Sequence, residues 1–546
     1  MMKKIFPVLI LLISACTSPI EYDIILKNGT IYEGSGNEPF IGDVAISADT
    51  IAAIGDLGDA KGKKVVDLQQ LAVAPGFINM LSWANVSLIE DGRSQSDIRQ
   101  GVTLEVLGEG SSMGPLSDTM KIEMVENQGD IKYDIKWTTL GEYLQYMEEK
   151  GVSTNVASFV GNGTIRKHII GYENRLASDE ELAKMKTLVK QAMEEGAVGI
   201  SSSLLYAPSS YANTEELIEL AKVASKYNGM YISHIRSEGD ELLEAIDELI
   251  TISREAKIAA EVYHLKASGQ SNWQKMDQVI EKIEQARKDG LAVTADMYTY
   301  SASSTGLHVQ LPDWVRDGGI EAMIERLADA SLRDKILNDI EFRNPPERIL
   351  LTGFRNEDLR KYAGKRLNEV AEILGKSPAE TMIDLIVEDD SRIQVVYFSM
   401  SDENIKKKVV LPWMSFCSDA GSYTNEGVFV KQITHPRAYG SFTRVLGKFA
   451  RDENVLTLQE GVRKLSSLPA QNLKLKKRGL LKIGNYADVV VFDPSKINDV
   501  ATFDKPHQYA EGMIHVWVNG VQVLENGEHT EAKPGRFVKG PGWAGK

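Results

Sequence analysis

Hydrophobic and polar positions alternate at both ends of the chain in the pattern of β-strands. Near the start, DIILKNGTIYEG alternates around Asn28-Gly29, a dipeptide typical of hairpin turns. Near the other end, HVWVNGVQVLENGEHT repeats the pattern around Asn519-Gly520. Two distant β-rich segments that flank one long middle predict a small β-sandwich formed by both chain ends, residues 22–72 and 481–546.

The middle of the chain, residues 73–480, alternates short apolar runs with amphipathic helical stretches, as repeated βα units do. Residues 301–393 interrupt this spacing with helical patterns of their own, and we expect them to form an insertion near the barrel mouth. The pattern predicts an α/β fold, a (β/α)8 TIM barrel, whose active site lies at the carboxyl ends of the strands. The eight candidate strands are LAVAPGFINML, VTLEVLGE, NVASFVG, AVGISSS, MYISHIR, AAEVYHL, LAVTADMY and MSFCSD.

Composition and charge restrict the partners of the protein. Its 546 residues are 43% hydrophobic and 25% charged, which is ordinary for a globular protein with a large core. The net charge of −15 argues against nucleic acid, or an anionic membrane surface, as the main partner. We therefore expect a small-molecule partner.

The first sixteen residues, MMKKIFPVLILLISAC, are typical of a bacterial lipoprotein signal segment. Two lysines precede an apolar run that is too short for a permanent transmembrane helix, and Ile13-Ser14-Ala15-Cys16 has the form of a lipoprotein cleavage box. Cleavage there leaves Cys16 as a lipidated first residue, and the lipid would be the only membrane contact. We expect a lipid-anchored protein of the bacterial cell envelope, facing the periplasm or the cell exterior. A simple secretory peptide cut near Ala15 is the alternative.

Charged and imidazole side chains lie where the candidate strands end. Glu109 closes the second strand, His234 the fifth, His264 the sixth and Asp419 the eighth. Because imidazole and carboxylate are standard zinc ligands, Glu109, His234 and His264 are candidate ligands of one zinc ion. Three protein ligands leave a position open for a catalytic water, for which Asp419 is the candidate general base. The alternatives are structural core histidines and an Asp419 that only caps a helix.

Nine stretches that span nearly the whole chain carry a family resemblance. They are VAPGFI, GVTLEVLGEG, EEGAVGISSSLLYAPSSYANTEEL, YISHIRSEGD, VYHLKASG, SDAG, HPRAYGSFTRVL, SLPAQNLKLKKRG and GNYADVVVFDP. In these stretches the chain resembles the D-aminoacylase family (N-acyl-D-amino-acid deacylases) of the amidohydrolase superfamily. The resemblance implies a hydrolase that removes the acyl group from N-acyl-D-amino acids by attack of a zinc-bound hydroxide. It also implies that His234 and His264 bind the metal and that Asp419 is the catalytic acid and base.

The resemblance also assigns substrate contacts. Tyr206 and Lys266 match family positions that contact the scissile carbonyl or the substrate's carboxylate. An N-acyl amino acid is an anion and needs a cation in its pocket. Arg236, Lys266 and Arg437 are the candidates for that cation.

Two departures from the family pattern concern the metal. The family usually has a His-x-His pair on the first strand, where this chain has Leu81 and Trp83. It usually has a cysteine on the second strand, where Gly110 lies at or near that place with Glu109 beside it. Since a carboxylate can replace a thiolate as an anionic ligand, we expect the chain to keep one zinc ion and to lose a second metal.

Two other functions remain open from the sequence. A dipeptidase or cyclic-amide hydrolase of the same superfamily usually bridges two metals with a modified lysine on the fourth strand, and AVGISSS has none. A catalytically inactive, ligand-binding lipoprotein would account for the missing His-x-His pair. It would leave the retained His234, His264, Lys266 and Asp419 unexplained.

Overall fold

The structure is a computed structural model that describes residues 21–545. The predicted signal segment, with Cys16, lies outside the described residues. Within them the chain forms a β/α barrel, a sheet built from both chain ends, and an insertion next to the barrel. No helix between residues 21 and 545 has the length and apolar character that crossing a membrane requires.

Both ends of the chain form one hydrogen-bonded sheet of nine strands. Val490 pairs with Ala74 in antiparallel register, which joins the C-terminal strands to the N-terminal ones. Side chains from both ends, among them Ile46, Val491 and Trp517, are buried in one apolar core. The strands are Glu21–Ile31, Phe40–Ser47, Thr50–Gly55, Lys61–Asp67, Ala72–Pro75, Val489–Phe492, Met513–Val518, Val521–Glu525 and Glu528–His529.

Two boundaries differ from those that the sequence predicts. Ala72–Pro75, expected in the first barrel strand, pairs within the terminal sheet, and only Phe77–Asn79 enters the barrel. Gly76 separates the two segments at a point where an added Cβ would lie 2.1 Å from Thr103 Oγ1. Near the C-terminus, residues 535–540 leave the sheet and run along the barrel, where they hydrogen-bond to residues such as Val156. At the first of these places the apolar run continues across Gly76 and therefore gives no sign of a change of layer.

Eight parallel strands form the barrel, and we number them in chain order. Barrel strands 1 to 8 are Phe77–Asn79, Val102–Leu107, Asn155–Ser158 with Val160–Gly161, Gly199–Ser203, Met230–His234, Ala259–Val262, Val293–Met297 and Met414–Phe416. The ring closes between strands 8 and 1, where the Met80 N–H donates to the Phe416 carbonyl and the Asp419 N–H to the Leu81 carbonyl. The predicted (β/α)8 barrel is confirmed.

Amphipathic helices connect the barrel strands. One of them, Asp179–Glu194, begins at a capping box in which Ser178 and Glu181 each accept the other's backbone N–H. The other α-helices are Ser87–Glu90, Gln95–Ile98, Asp118–Glu126, Leu140–Lys150, Asn162–Ile169, Thr214–Lys226, Leu242–Ala256, Lys275–Lys288, Asp313–Arg316, Gly319–Ala328, Arg333–Asp339, Leu367–Leu374, Pro378–Asp389, Asp402–Val409, Arg437–Arg444, Leu458–Leu465 and Ser467–Asn472.

The predicted insertion lies between barrel strands 7 and 8 and has an apolar core of its own. Its three antiparallel strands are Ser303–Gly306, Ile349–Gly353 and Gln394–Tyr397, with the last one in the middle. The last strand of the insertion ends at Tyr397, close to the predicted end at about 393. Its residues and the carboxyl ends of the barrel strands together line one cavity of about 1890 Å³.

Candidate metal centre

Glu109, His234 and His264 meet at the carboxyl end of the barrel. The Glu109 Oε1 atom lies 3.0 Å from His234 Nδ1 and 2.9 Å from His264 Nε2. The two ring nitrogens are 3.0 Å apart. All three side chains are buried and line the cavity. The three residues that the sequence predicts as metal ligands thus direct one ligand atom each toward a common point.

The local backbone explains how these side chains reach one point. His234 is the last residue of barrel strand 5, and His264 follows strand 6 with a φ of 35°. The His264 backbone N–H donates to the buried Asp296 carboxylate at 2.7 Å, which holds this unusual conformation. Glu109 lies between Gly108 and Gly110, and both glycines have positive φ. An added Cβ at Gly110 would lie 2.6 Å from the Ser203 backbone nitrogen, so only glycine fits there.

Electrostatics at this point favour positive charge. Burial alone would raise the pKa of the Glu109 carboxyl, but the facing His264 and His234 outweigh burial and lower it. Burial and Lys266 act to lower the pKa of His264, yet Asp419 and Glu109 raise it to about 10. The carboxylates around the imidazoles therefore favour positive charge at this point, whether a proton or a metal ion carries it.

The three atoms fit a zinc ion. In a tetrahedral site with bonds of about 2.0–2.1 Å, neighbouring ligand atoms lie roughly 3.3 Å apart, a few tenths of an ångström more than here. When the two ring nitrogens that face Glu109 carry no proton, all three atoms offer a lone pair to a metal ion. A metal ion between them accepts a lone pair from each. The buried His/His/carboxylate set is a chemically suitable zinc site.

Glu238 and Lys266 form a second layer behind the histidines. The Lys266 ammonium pairs with the Glu238 carboxylate and lies 2.7 Å from His264 Nδ1. Glu238 Oε1 is 3.2 Å from the same ring nitrogen, so the carboxylate and the ammonium both contact the edge of the ring that faces away from Glu109. Burial opposes the charge of Glu238, but Lys266 and the imidazoles lower its pKa well below the usual value. Sequence analysis missed Glu238, although it lies in the quoted YISHIRSEGD stretch.

Asp419 follows barrel strand 8 and faces the same cavity. Its Oδ2 lies 2.7 Å from Arg437 Nη1, and its Oδ1 accepts the indole N–H of Trp83 at 3.2 Å. The same indole N–H also donates to Glu109 Oε2 at 2.9 Å. Asp419 is therefore held beside the candidate ligands by side chains. Its backbone φ of 48° and its buried position do not match those of a helix N-cap.

The predicted substrate contacts separate into two groups. Tyr206, Lys266 and Arg437 line the cavity beside the metal centre. The Tyr206 ring lies 5.3 Å from that of His234, and its hydroxyl is 2.7 Å from Thr305 Oγ1. Lys266 and Arg437 lie over the ring of Tyr298, at 5.7 and 4.5 Å from its centroid. Tyr298, which ends the LAVTADMY strand, was not among the predicted site residues.

Arg236 belongs to the second group, because its guanidinium is engaged elsewhere. Its Nε and Nη2 pair with both oxygens of Glu248 at 3.0 and 2.9 Å. Its Nη1 and Nη2 donate to the carbonyls of Ser210 and Ala212, each at 2.9 Å. These contacts tie the loop after strand 4 to the helix after strand 5. Arg236 also lines the cavity, but its guanidinium is paired with Glu248, and its contact with the substrate's carboxylate stays a prediction.

Comparison with known proteins supports the same family. The model of the amidohydrolase family (Amidohydro_3) matches residues 64–524. D-aminoacylase from Alcaligenes xylosoxydans xylosoxydans is 31% identical over 523 residues, which cover 95% of this chain and 97% of that protein.

Two solved structures extend the likeness to the whole fold. One is N-acyl-D-glutamate deacylase from Bordetella bronchiseptica, in complex with zinc and a phosphonate mimic of the tetrahedral intermediate. It superposes on this chain with a TM-score of 0.81 at 27% sequence identity, and the match covers 95% of this chain and all of that one. The other is a D-aminoacylase studied for its binuclear metal centre, with one-metal activation and second-metal attenuation. Its TM-score is 0.80 at 28% sequence identity, and the match covers the same shares of the two chains. This chain belongs to the amidohydrolase family, in its D-aminoacylase branch.

Proposed function

We propose that this protein is a metal-dependent amide hydrolase that removes the acyl group from N-acyl-D-amino acids. The observation that carries the proposal is the meeting of Glu109, His234 and His264 within 3.0 Å of one another, with Asp419 beside them. A cation site and a carboxylate base at one end of a barrel are the two parts that metal-assisted hydrolysis requires.

One zinc ion per chain is the cofactor in this proposal, with Glu109, His234 and His264 as its protein ligands. When bound, zinc would polarise the scissile carbonyl and lower the pKa of a water molecule from 15.7 to about 7. Glu238 and Lys266 support the site from behind, because both contact His264 Nδ1 while the other ring nitrogen faces Glu109.

Asp419 is the proposed general base and acid. Its carboxylate takes a proton from the attacking water and returns it to the nitrogen of the leaving amino acid, so that the amide bond breaks without releasing a free amide anion. The Trp83 indole N–H and the Arg437 guanidinium hold one oxygen each, so the carboxylate points into the cavity in a fixed direction.

Arg437 and Lys266 are the proposed cations for the substrate's carboxylate. Both are buried, and both flank the ring of Tyr298 at the cavity wall. The Arg437 Nε atom is buried without a hydrogen-bond partner among the described residues, so it can donate to a bound anion. Tyr206, with a pKa raised by burial, stays protonated and can donate to the substrate's carbonyl oxygen.

The alternative functions are less well supported. Barrel strand 4, Gly199–Ser203, contains serines and no lysine, so it offers no group for the bridge that two-metal dipeptidases and cyclic-amide hydrolases use. A catalytically inactive binding protein has no need for a carboxylate that an indole N–H and the charge of an arginine hold next to a cation site.

We also propose that the mature protein is anchored in the bacterial cell envelope by lipid on Cys16. The support is the sequence of the signal segment alone. Because the first strand of the terminal sheet begins at Glu21, the enzyme would lie close to the membrane surface and act on substrates outside the cytoplasm.

A hydrolysis screen tests the proposed activity. Zinc-loaded protein is incubated with pairs of N-acetyl-D- and N-acetyl-L-amino acids, and the free amino acid is measured. We expect release from D-enantiomers that exceeds release from their L-counterparts. Preferential release from L-enantiomers, or from dipeptides and hydantoins alone, would replace the proposal by one of its alternatives.

A further inference from the structure

Trp83 stands in the family's second strand-one histidine position and is fixed to the strand that carries Asp419. Its backbone N–H donates to the Ala420 carbonyl at 2.9 Å, and the Asp419 N–H donates to the Leu81 carbonyl at the same distance. These bonds close the barrel between strands 1 and 8. The position of the Trp83 backbone relative to Asp419 is therefore set by the barrel itself.

The indole N–H of Trp83 lies between two carboxylates. It is 2.9 Å from Glu109 Oε2 and 3.2 Å from Asp419 Oδ1. These are the Glu109 oxygen that does not face the histidines and the Asp419 oxygen that does not face Arg437. One donor that is shared by two anions reduces the repulsion between them and fixes the direction of both.

An indole cannot serve as a metal ligand at this place. Its nitrogen is a donor only, whereas a histidine in the same position would offer a lone pair. A second cation between Glu109 and Asp419 would have to displace the N–H, and the neighbouring Leu81 is a buried hydrocarbon side chain. Among residues 21–545, the one group of His, Cys, Asp and Glu that gathers around a possible metal is Glu109, His234 and His264.

We infer that Trp83 is a positioning residue that takes the place of a second metal ion. Its N–H aligns Asp419 with Glu109, and its lack of a lone pair keeps the centre mononuclear. The inference rests on the proposed function and adds to it a property of the wild-type protein: excess zinc does not add a second ion to the site and does not inhibit the enzyme.

The first test is a zinc titration of the wild-type protein. Metal is measured by elemental analysis after desalting and by calorimetry during the titration, and activity is assayed in parallel. We expect about one equivalent of zinc at saturation, and a rate that stays constant in a large excess of zinc. A second equivalent that binds with a fall in the rate would overturn the inference without any variant.

Variants separate the two parts of the role. Trp83→Phe keeps a ring but removes the N–H. We expect unchanged zinc content, a KM within about twofold of the wild-type value, and a kcat lowered about tenfold or more, which is the usual effect of losing a hydrogen bond to a charged group.

Leu81→His combined with Trp83→His supplies two lone pairs at this place. We expect this double variant to bind a second zinc equivalent and to be inhibited by excess zinc. Trp314→Phe is the matched control, because its indole N–H also donates to a carboxylate, Asp339, at 3.1 Å, outside the site.

The outcomes distinguish this inference from the proposed function. A wild-type protein that binds no zinc and hydrolyses no N-acyl amino acid contradicts the proposed function. A wild-type protein that is active with one zinc, together with a Trp83→Phe variant of wild-type kcat, contradicts the role of Trp83 alone. A change of KM instead of kcat in that variant would make Trp83 a substrate contact and would also overturn the inference.

Discussion

Arg437 Nη1 lies 2.7 Å from Asp419 Oδ2, at the wall of the cavity that the two histidines of the candidate metal centre also line. Both side chains are buried, so neither charge is screened by water. The candidate base, Asp419, is therefore in direct contact with a candidate anion-binding group, Arg437. The experiments that follow assign these two roles separately.

Asp419→Asn should keep the fold and the zinc but lose catalysis. The amide retains the shape of the carboxylate and cannot take a proton from water, so we expect kcat to fall at least about 100-fold. Elemental analysis and steady-state kinetics give the two readouts. Asp499→Asn is the matched control, since Asp499 also pairs with an arginine, Arg444, at 2.7 Å but is remote from the metal centre. A near wild-type rate would reduce Asp419 to a structural role, and loss of zinc would make it a ligand.

Arg437→Met should weaken substrate binding. Removing a hydrogen bond between charged groups costs about 1.5–3 kcal/mol, so we expect KM for an N-acyl-D-amino acid to rise about tenfold or more. Arg236→Met is the comparison, because its guanidinium binds Glu248 and two carbonyls; we expect a lower melting temperature and an unchanged KM. The reverse result would return Arg236 to the substrate site and remove Arg437 from it.

Gly110→Ala should disturb the metal centre through the backbone. An added Cβ lies 2.6 Å from the Ser203 nitrogen at a φ of 61°, so the segment that carries Glu109 has to move. We expect lower zinc affinity as well as lower thermal stability. Gly375→Ala imposes a similar φ of 65° with nothing within 4 Å, and it should lose stability alone. Equal zinc affinity in both variants would show that the position of Glu109 does not depend on this contact.

Cys16→Ser tests the proposed lipid anchor. Without the sulfur the protein cannot be lipidated, and the acyl chains contribute about 0.8 kcal/mol per buried CH₂ to membrane binding. We expect the wild type in the membrane fraction of the expressing cells and the variant in the soluble fraction. A variant that stays wholly in the membrane fraction would mean that another feature holds the protein there.

The barrel and its strand ends could be predicted because each depends on local pattern. His234, His264 and Asp419 each follow a short apolar run, and the parallel barrel brings such ends together whatever the details of packing. Glu109 could be selected in the same way. The break at Gly76 could not be predicted, because the apolar run continues across it while the chain passes from one sheet to another.

The contacts that the sequence could not reveal depend on the tertiary register. Trp83 reaches Asp419 across 336 positions of sequence, through the closure of strands 1 and 8. The engagement of Arg236 with Glu248 depends on how one helix packs against one loop. Glu238 and Tyr298 lie in predicted segments, but nothing in their spacing distinguishes them from neighbouring polar residues. Their roles follow only from the distances.

The zinc content of ligand variants tests the central claim most directly. Elemental analysis of the desalted wild type should give about one zinc per chain. His234→Ala combined with His264→Ala leaves Glu109 as a single ligand, and we expect almost no zinc. His515→Ala, in the terminal sheet, should keep the wild-type content. Zinc that persists in the double variant would contradict the assignment of the metal to Glu109, His234 and His264.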